Sequence, residues 1–161
     1  MLSNFYEKPK NETIKVSLDA EGEEYGDFIE LKSFSDKKFQ DHVSRGLGKK
    51  KKNWRKNTNG NEDIFDNEKE KLMYCQAIAT NIIVDWQMTD MKKDFSERFP
   101  NVDVDTRAGL DKKLCNIPFT KKNAYELLTH KKFDSFVLMI FEECGDKAQF
   151  EKLELAKDLK N

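Results

Sequence analysis

The chain has 161 residues, which is enough for one compact domain with a modest core but not for two large domains. Charged residues make up 37% of it and its mean hydropathy is -0.83, yet 29 basic residues nearly balance 30 acidic ones, so the overall charge favours neither nucleic acid nor membrane. Three widely spaced cysteines argue against a disulfide framework, and the lack of a long apolar run argues against a membrane span, which together predict a soluble cytoplasmic protein.

Residues 1–47 are predicted to form a β-hairpin followed by a short helix. Apolar and polar residues alternate over 13–18, which is the period of a half-buried strand. A turn-forming segment with two glycines then leads into a second apolar run at 28–31, and the two runs predict a hairpin. Ser35 offers an N-cap oxygen to a helix that we expect over 37–47.

Residues 48–64 are predicted to be a basic, flexible linker. The segment is rich in Lys, Asn and Gly, and Trp54 is the one large apolar side chain between 48 and 63. Such a composition cannot bury enough apolar area to offset the entropy of ordering the chain. The linker therefore separates the hairpin unit from the rest of the chain.

The basic tract in this linker supports an alternative function, nucleic-acid binding. Its candidate residues are Lys49, Lys50, Lys51, Lys52, Trp54, Arg55 and Lys56. Clustered positive charge beside an aromatic ring can follow phosphates and stack on a base. One ring is not a stacking platform, however, and acidic segments flank the tract on both sides, so a solvated linker or an acidic protein partner explains it equally well.

Residues 65–161 are predicted to form a helical body. Apolar residues recur at spacings of three and four from Leu72 to Trp86, which predicts an amphipathic helix over 68–88. The stretch 91–116 has only scattered apolar residues and predicts short local structure.

Two further helices are predicted after this stretch. Thr120 is a candidate N-cap for the first, and a stripe from Phe133 to Cys144 predicts the second, which Gly145 would end in a left-handed conformation. A more polar helix is expected near the end of the chain. The sequence as a whole thus predicts a mainly α-helical fold with a small N-terminal β-hairpin, built as a single compact helical domain.

Candidate catalytic and metal-binding residues are few. His42 and His130 lie on expected helix surfaces with no Cys or His at zinc spacing, which favours a solvated or capping role. The acidic run at 101–105 resembles the start of a calcium loop, but Thr106 stands where that loop needs glycine. No phosphate-binding loop, nucleophile elbow or zinc-protease motif is present. The sequence therefore predicts a protein that is not an enzyme and has no metal or cofactor.

The order of landmarks in the C-terminal half resembles that of the tail assembly chaperones of long-tailed bacteriophages. The landmarks are Ile83-Val84-Asp85-Trp86 closing a helix, Ile117-Pro118-Phe119-Thr120, then Asn123-Ala124 and Leu127-Leu128, an apolar helix, and a polar end at Lys160-Asn161. The resemblance covers roughly residues 70–161. The stretch 91–116 departs from it, because members of the family have a short link there.

The resemblance implies a small, largely helical protein that coats the tape measure protein in the host cell cytoplasm. Such a chaperone helps the tail tube protein polymerise and is absent from the mature virion. The family often makes a second, longer product by ribosomal frameshifting, and that extension would recruit the tail tube protein. The codons permitted for Leu159-Lys160-Asn161 allow a slippery site for this event. Self-association is left open.

A protein that holds apolar helical segments of a partner needs an exposed apolar groove on a charged body. The candidate partner-binding residues are Trp86, Phe119, Phe133, Phe136 and Ile140. Core packing is the alternative for each of them. Trp86 in particular is expected to be buried between the helix over 68–88 and the helix that follows Phe133.

Overall fold

The computed structural model describes residues 13–47, 65 and 67–145. The predicted linker at 48–64 with its basic tract, and residues 146–161 with the predicted polar helix and frameshift site, lie outside the described residues. The described elements are β1 Thr13–Ser17, β2 Phe28–Lys32, α1 Lys37–Leu47, α2 Glu68–Asn81, β3 Ile83–Met91, α3 Lys92–Arg98, β4 Leu114–Ile117, α4 Lys121–Thr129 and α5 Asp134–Gly145.

The strands form one antiparallel sheet in the order β1-β2-β3-β4. β1 and β2 pair as the predicted hairpin. Their connection includes Gly22 and Gly26 at φ values of 84° and 73°, a backbone region that favours glycine. The carboxylate of Asp19 accepts hydrogen bonds from the amides of Gly26 and Asp27, at 2.8 and 3.0 Å, and so holds the end of the turn against the start of β2.

The predicted mainly α-helical fold is wrong, because the hairpin is only half of a four-stranded sheet. The predicted helical body at 65–161 supplies the other two strands, β3 and β4, so the fold is α+β. Buried pairs such as Ile29 with Trp86 lie opposite each other across the sheet. These side chains join those of α1, α2, α4 and α5 in one continuous core.

The predicted helix over 68–88 is also wrong in its second part, since α2 ends at Asn81. The Asn81 side chain donates a hydrogen bond to the carbonyl oxygen of Ala77 at 3.1 Å, and the carbonyl oxygen of Ile82 accepts one from the amide of Lys32 at 2.9 Å. The backbone at Ile82 is thereby tied to β2. The β-branched run that begins there favours extended structure once a partner strand is present.

Helix α1 has the predicted bounds but a different cap. The carboxylate of Asp36, rather than Ser35, accepts a hydrogen bond from the amide of Phe39 at 3.0 Å. An aspartate at this position also places negative charge at the positive end of the helix dipole. Ser35 instead donates its hydroxyl to the Ser33 hydroxyl at 2.9 Å.

Helices α4 and α5 confirm the two predicted C-terminal helices. The hydroxyl of Thr120 accepts a hydrogen bond from the amide of Asn123 at 3.0 Å, as an N-cap does. Helix α5 ends at Gly145, but this glycine does not have a positive φ, so the expected left-handed cap is wrong. The stretch 91–116 holds the short helix α3 and the start of β4, in line with the predicted short local structure.

Gly46 of α1 packs against the Met73 side chain of α2, and we expect Gly46→Ala to destabilise the fold. An added Cβ would overlap Met73 Cγ and lie 2.8 Å from its sulfur. Alanine gains about 1 kcal/mol of helix propensity, whereas overpacking costs about 1–3 kcal/mol. Chemical denaturation should therefore give a net loss of about 1 kcal/mol in the free energy of unfolding. In a Met73→Ala background, Gly46→Ala should cost much less stability than it does in the wild-type background. A Gly46→Ala protein that is more stable than wild type would contradict this packing.

Candidate protein-binding surface

The five predicted partner-binding residues divide into buried and partly buried side chains. Trp86 and Ile140 are 5% and 0% exposed, so both belong to the core and offer a partner almost no surface. Phe119, Phe133 and Phe136 pack against the core but remain partly exposed. The aromatic contacts join Trp86 to Phe119 and Phe133 to Phe136, at centroid distances of 5.1 and 5.5 Å.

Trp86 is buried as predicted, but not between two helices. Its indole Nε1 donates a hydrogen bond to the carbonyl oxygen of Ile117 at 2.8 Å, and its ring meets the ring of Phe119 edge to face. Trp86 lies on β3 and therefore packs over the end of β4. The predicted position was wrong because the helix on which it was placed stops five residues earlier.

A row of aromatic side chains leads from the core towards the surface at α5. The ring centroids of Phe95 and Phe99 are 4.8 Å apart. The centroid of Phe99 also lies 4.6 Å from that of His130 and 5.4 Å from that of Phe133, whose ring in turn contacts Phe136. Phe95 is 1% exposed, whereas Phe133 and Phe136 are partly exposed. The buried end of the row supports the rings at its exposed end, since edge-to-face contacts restrict ring orientation.

Helix α5 carries more apolar surface than its core face needs. Its fully buried positions are Val137, Ile140, Phe141 and Cys144. Phe133, the last residue of the short 3-10 helix before α5, and Phe136 and Met139 of α5 follow one another at a spacing of three and are only partly buried. We call these three side chains the α5 stripe. Six consecutive apolar residues at 136–141 make the middle of this helix apolar on nearly every side, which is unusual for a helix at a surface.

Polar contacts at both ends fix α5 to the rest of the fold. Near its start, Lys71 Nζ of α2 lies 3.0 Å from Asp134 Oδ1. Near its end, the carbonyl oxygen of Cys144 accepts a hydrogen bond from the amide of Phe34 at 3.0 Å. His130 caps the short 3-10 helix before α5 by accepting a hydrogen bond from the amide of Lys132. The stripe is thus held on a rigid element, which lowers the entropy lost when a partner binds.

Burial shifts the pKa values of three cysteine thiols and one aspartate carboxyl in the described part of the chain. Burial raises the pKa of the Cys75 thiol to about 12 and also raises the pKa of Cys144 and of Cys115. These thiols stay protonated near neutral pH and are weak nucleophiles. Burial likewise raises the pKa of the Asp27 carboxyl, although hydrogen bonds from the Thr89 hydroxyl and amide, both 2.9 Å, oppose the shift.

The carboxylates of the calcium-like run make contacts with other parts of the fold. Asp103 Oδ2 lies 3.1 Å from Lys122 Nζ, and Asp105 Oδ1 accepts a hydrogen bond from the Asn116 side chain at 2.7 Å. Over residues 13–47, 65 and 67–145, no group of three or more His, Cys, Asp or Glu side chains is placed to hold a metal ion. His42 Nδ1 lies 3.4 Å from the side-chain nitrogen of Asn81.

The sequence did not predict a cleft of about 670 Å³ that lies between α3 and the segment before β4. Two Lys-Lys pairs line it, Lys92-Lys93 and Lys112-Lys113. Each pair is visible in the sequence, but nothing local indicates that they meet. Only the antiparallel pairing of β3 with β4 brings them together.

None of the described helices is long and apolar enough to cross a membrane. Comparisons of the chain with protein-family models, with curated proteins and with solved structures find no match. The resemblance to tail assembly chaperones therefore rests on the landmark residues. Of these, Asn123 to Leu128 lie in α4, whereas Ile83-Val84-Asp85-Trp86 lies in strand β3 and not at the end of a helix.

Proposed function

We propose that this chain works by binding another protein and catalyses no reaction, and that it serves as a tail assembly chaperone for the tape measure protein of a long-tailed bacteriophage. The α5 stripe is the observation that carries this proposal. It consists of Phe133, just before α5, and Phe136 and Met139 on α5, and its two phenylalanines form the partly exposed end of the aromatic row. Partly exposed apolar side chains at this spacing can pack against the apolar face of a partner helix.

The surroundings of the stripe favour a protein helix as its occupant. Exposed polar side chains, among them Asp134, Ser135 and Glu142, lie on the same helix outside the stripe. An apolar centre with a polar rim is the usual anatomy of a protein interface, because the rim stays solvated while the centre is desolvated. Aromatic side chains also carry much of the binding energy at such centres. Apolar helical segments of a tape measure protein have the matching chemistry.

The resemblance supplies the remaining parts of the proposal. The chain would coat the tape measure protein in the host cell cytoplasm and would be absent from the mature virion. A longer, frameshifted product would bring the tail tube protein to the same complex. The alternative, nucleic-acid binding through Lys49–Lys56, rests on residues outside the described part of the chain.

The proposal predicts that binding depends on the α5 stripe and only weakly on salt. A labelled apolar helical peptide from the tape measure protein would be titrated with the full chain and with the double variant Phe136→Ser/Met139→Ser. Losing two contacts at an interface centre should weaken binding at least about tenfold. Raising the ionic strength should change the affinity little, whereas phosphate binding through a lysine tract would weaken steeply.

The matched control is Val84→Ser, which removes an apolar side chain that is 39% exposed on β3 and should leave the affinity unchanged. The free energy of unfolding of the double variant is measured alongside. A loss above about 3 kcal/mol, the range expected for core truncation, would mean that the chain's own residues already cover the stripe. That outcome, or equal binding by the variant and wild type, would contradict the proposed interface.

A further inference from the structure

The cleft beside α3 is built by the end of the β3-β4 ladder. Met91 pairs with Leu114, and the amide of Lys92 then donates a hydrogen bond to the carbonyl oxygen of Lys113 at 2.9 Å. This bond extends the ladder by one residue and sets Lys92-Lys93 beside Lys112-Lys113. We call the resulting site the lysine cleft. The backbone pairing fixes where the two Lys-Lys segments lie relative to each other.

Within the described part of the chain, the four lysines of the cleft have no ion-pair partner. Among the described residues, no acidic oxygen lies within 4.0 Å of any of their ammonium groups. Asp94 and Glu97 also line the cleft, but they form no ion pair with these lysines. Two neighbouring carboxylates are turned to backbone amides: Asp90 accepts from Met91, and Asp111 accepts from Lys113. The lining therefore carries four positive and two negative side chains, and its excess of positive charge favours an anionic ligand.

The cleft also has an apolar part. Met91 is 45% exposed, more than any other exposed large apolar side chain in the described part of the chain, and it lies among the lining residues. Methionine adapts its shape to different apolar partners and is common at binding surfaces. The aliphatic stems of the lysines extend the apolar area while their ammonium groups remain at the rim. Such a site suits a ligand that is acidic and partly apolar.

We propose that the lysine cleft binds an acidic segment of a partner protein, with carboxylates at the four lysines and an apolar side chain on Met91. The lining favours this occupant over nucleic acid. The described residues that line the cleft include no arginine and no aromatic ring, which are the side chains that stack on bases in single-stranded nucleic-acid sites. A concave volume of about 670 Å³ accepts a few side chains of a peptide. This second surface is independent of the α5 stripe and of the chaperone role.

Fluorescence anisotropy with the full chain tests the proposal. Three labelled probes are compared: a short peptide of glutamate and leucine, a glutamate peptide without leucine, and a single-stranded oligonucleotide. The glutamate-leucine peptide should bind most tightly. Reversing two charges in Lys92→Glu/Lys113→Glu should weaken its binding about tenfold or more, and the milder Lys93→Gln/Lys112→Gln should weaken it in the same direction.

The matched control is Lys37→Glu/Lys38→Glu, which reverses the charges of an exposed lysine pair on α1. Its binding should stay within about twofold of wild type, because the net charge changes equally but the cleft does not. Met91→Ser should weaken binding of the peptide with leucine and not of the peptide without it. Three results would overturn the proposal: the oligonucleotide binding in preference to both peptides, an equal loss in the Lys37/Lys38 variant, or no binding of either peptide.

Discussion

Replacing Trp86 with alanine is expected to lower the free energy of unfolding by about 3–5 kcal/mol, the range for truncating a buried large aromatic side chain. Trp86 is 5% exposed and connects the central strand β3 to β4 through its bond to the Ile117 carbonyl oxygen. The truncation removes the ring that packs on Phe119 and leaves that carbonyl oxygen without its indole donor. The cavity and the lost hydrogen bond both lower the free energy of unfolding.

Urea denaturation followed by circular dichroism measures this loss. Trp86→Phe separates the two contributions, since it keeps most of the apolar volume and removes only the indole donor; it should lose about 1–3 kcal/mol. Val84→Ala, on the same strand but 39% exposed, is the control and should change stability by less than about 1 kcal/mol. A Trp86→Ala protein that loses less than the Val84→Ala control would mean that the ring is not buried in the core.

A second large effect is expected at Asn123, a fully buried polar side chain at the start of α4. Its Oδ1 accepts a hydrogen bond from the amide of Asp103, and its Nδ2 donates to the carbonyl oxygens of Asp103 and Pro118, all at 3.0 Å. The side chain thus ties the segment before β4 to the segment that follows it. Asn123→Ala should lower the free energy of unfolding by about 3 kcal/mol or more, because it leaves several backbone groups unpaired.

Lys122→Ala is the matched control for this variant. It removes the neighbouring ion pair with Asp103, whose side chains are 60% and 71% exposed, and such exposed pairs contribute little stability. Thermal or urea unfolding of the two variants should therefore differ clearly. A similar, small loss in both would show that water replaces the amide side chain at low cost and that Asn123 does not hold these segments together.

The sequence predicted the elements whose signals are local. The alternation over 13–18, the helix over 37–47 and the Thr120 cap depend on neighbouring residues and appear in the structure as β1, α1 and α4. Strand β3 was missed because Ile82, Ile83 and Trp86 continue the helical spacing of α2. The extended conformation of Ile83 and Trp86 depends on pairing with β2, more than fifty residues earlier in the chain. Sequence periodicity carries no information about such a distant partner.

The candidate site was predicted in part, for a related reason. Of the predicted partner-binding residues, Phe133 and Phe136 lie in the α5 stripe, whereas Ile140 lies in the core. In a helix where residues 136–141 are all apolar, sequence alone does not determine which face is buried. Met139 was missed for the same reason. The lysine cleft depends on the β3-β4 register, which no local pattern indicates.

The proposed role of this chain as a chaperone for the tape measure protein is tested most directly by the amount of soluble tape measure protein when the two proteins are co-expressed. We expect the tape measure protein to be soluble and to co-purify with the wild-type chain at low and at high salt. It should become insoluble with Phe136→Ser/Met139→Ser and stay soluble with Val84→Ser. A tape measure protein that is equally insoluble with and without the wild-type chain would contradict this proposed role.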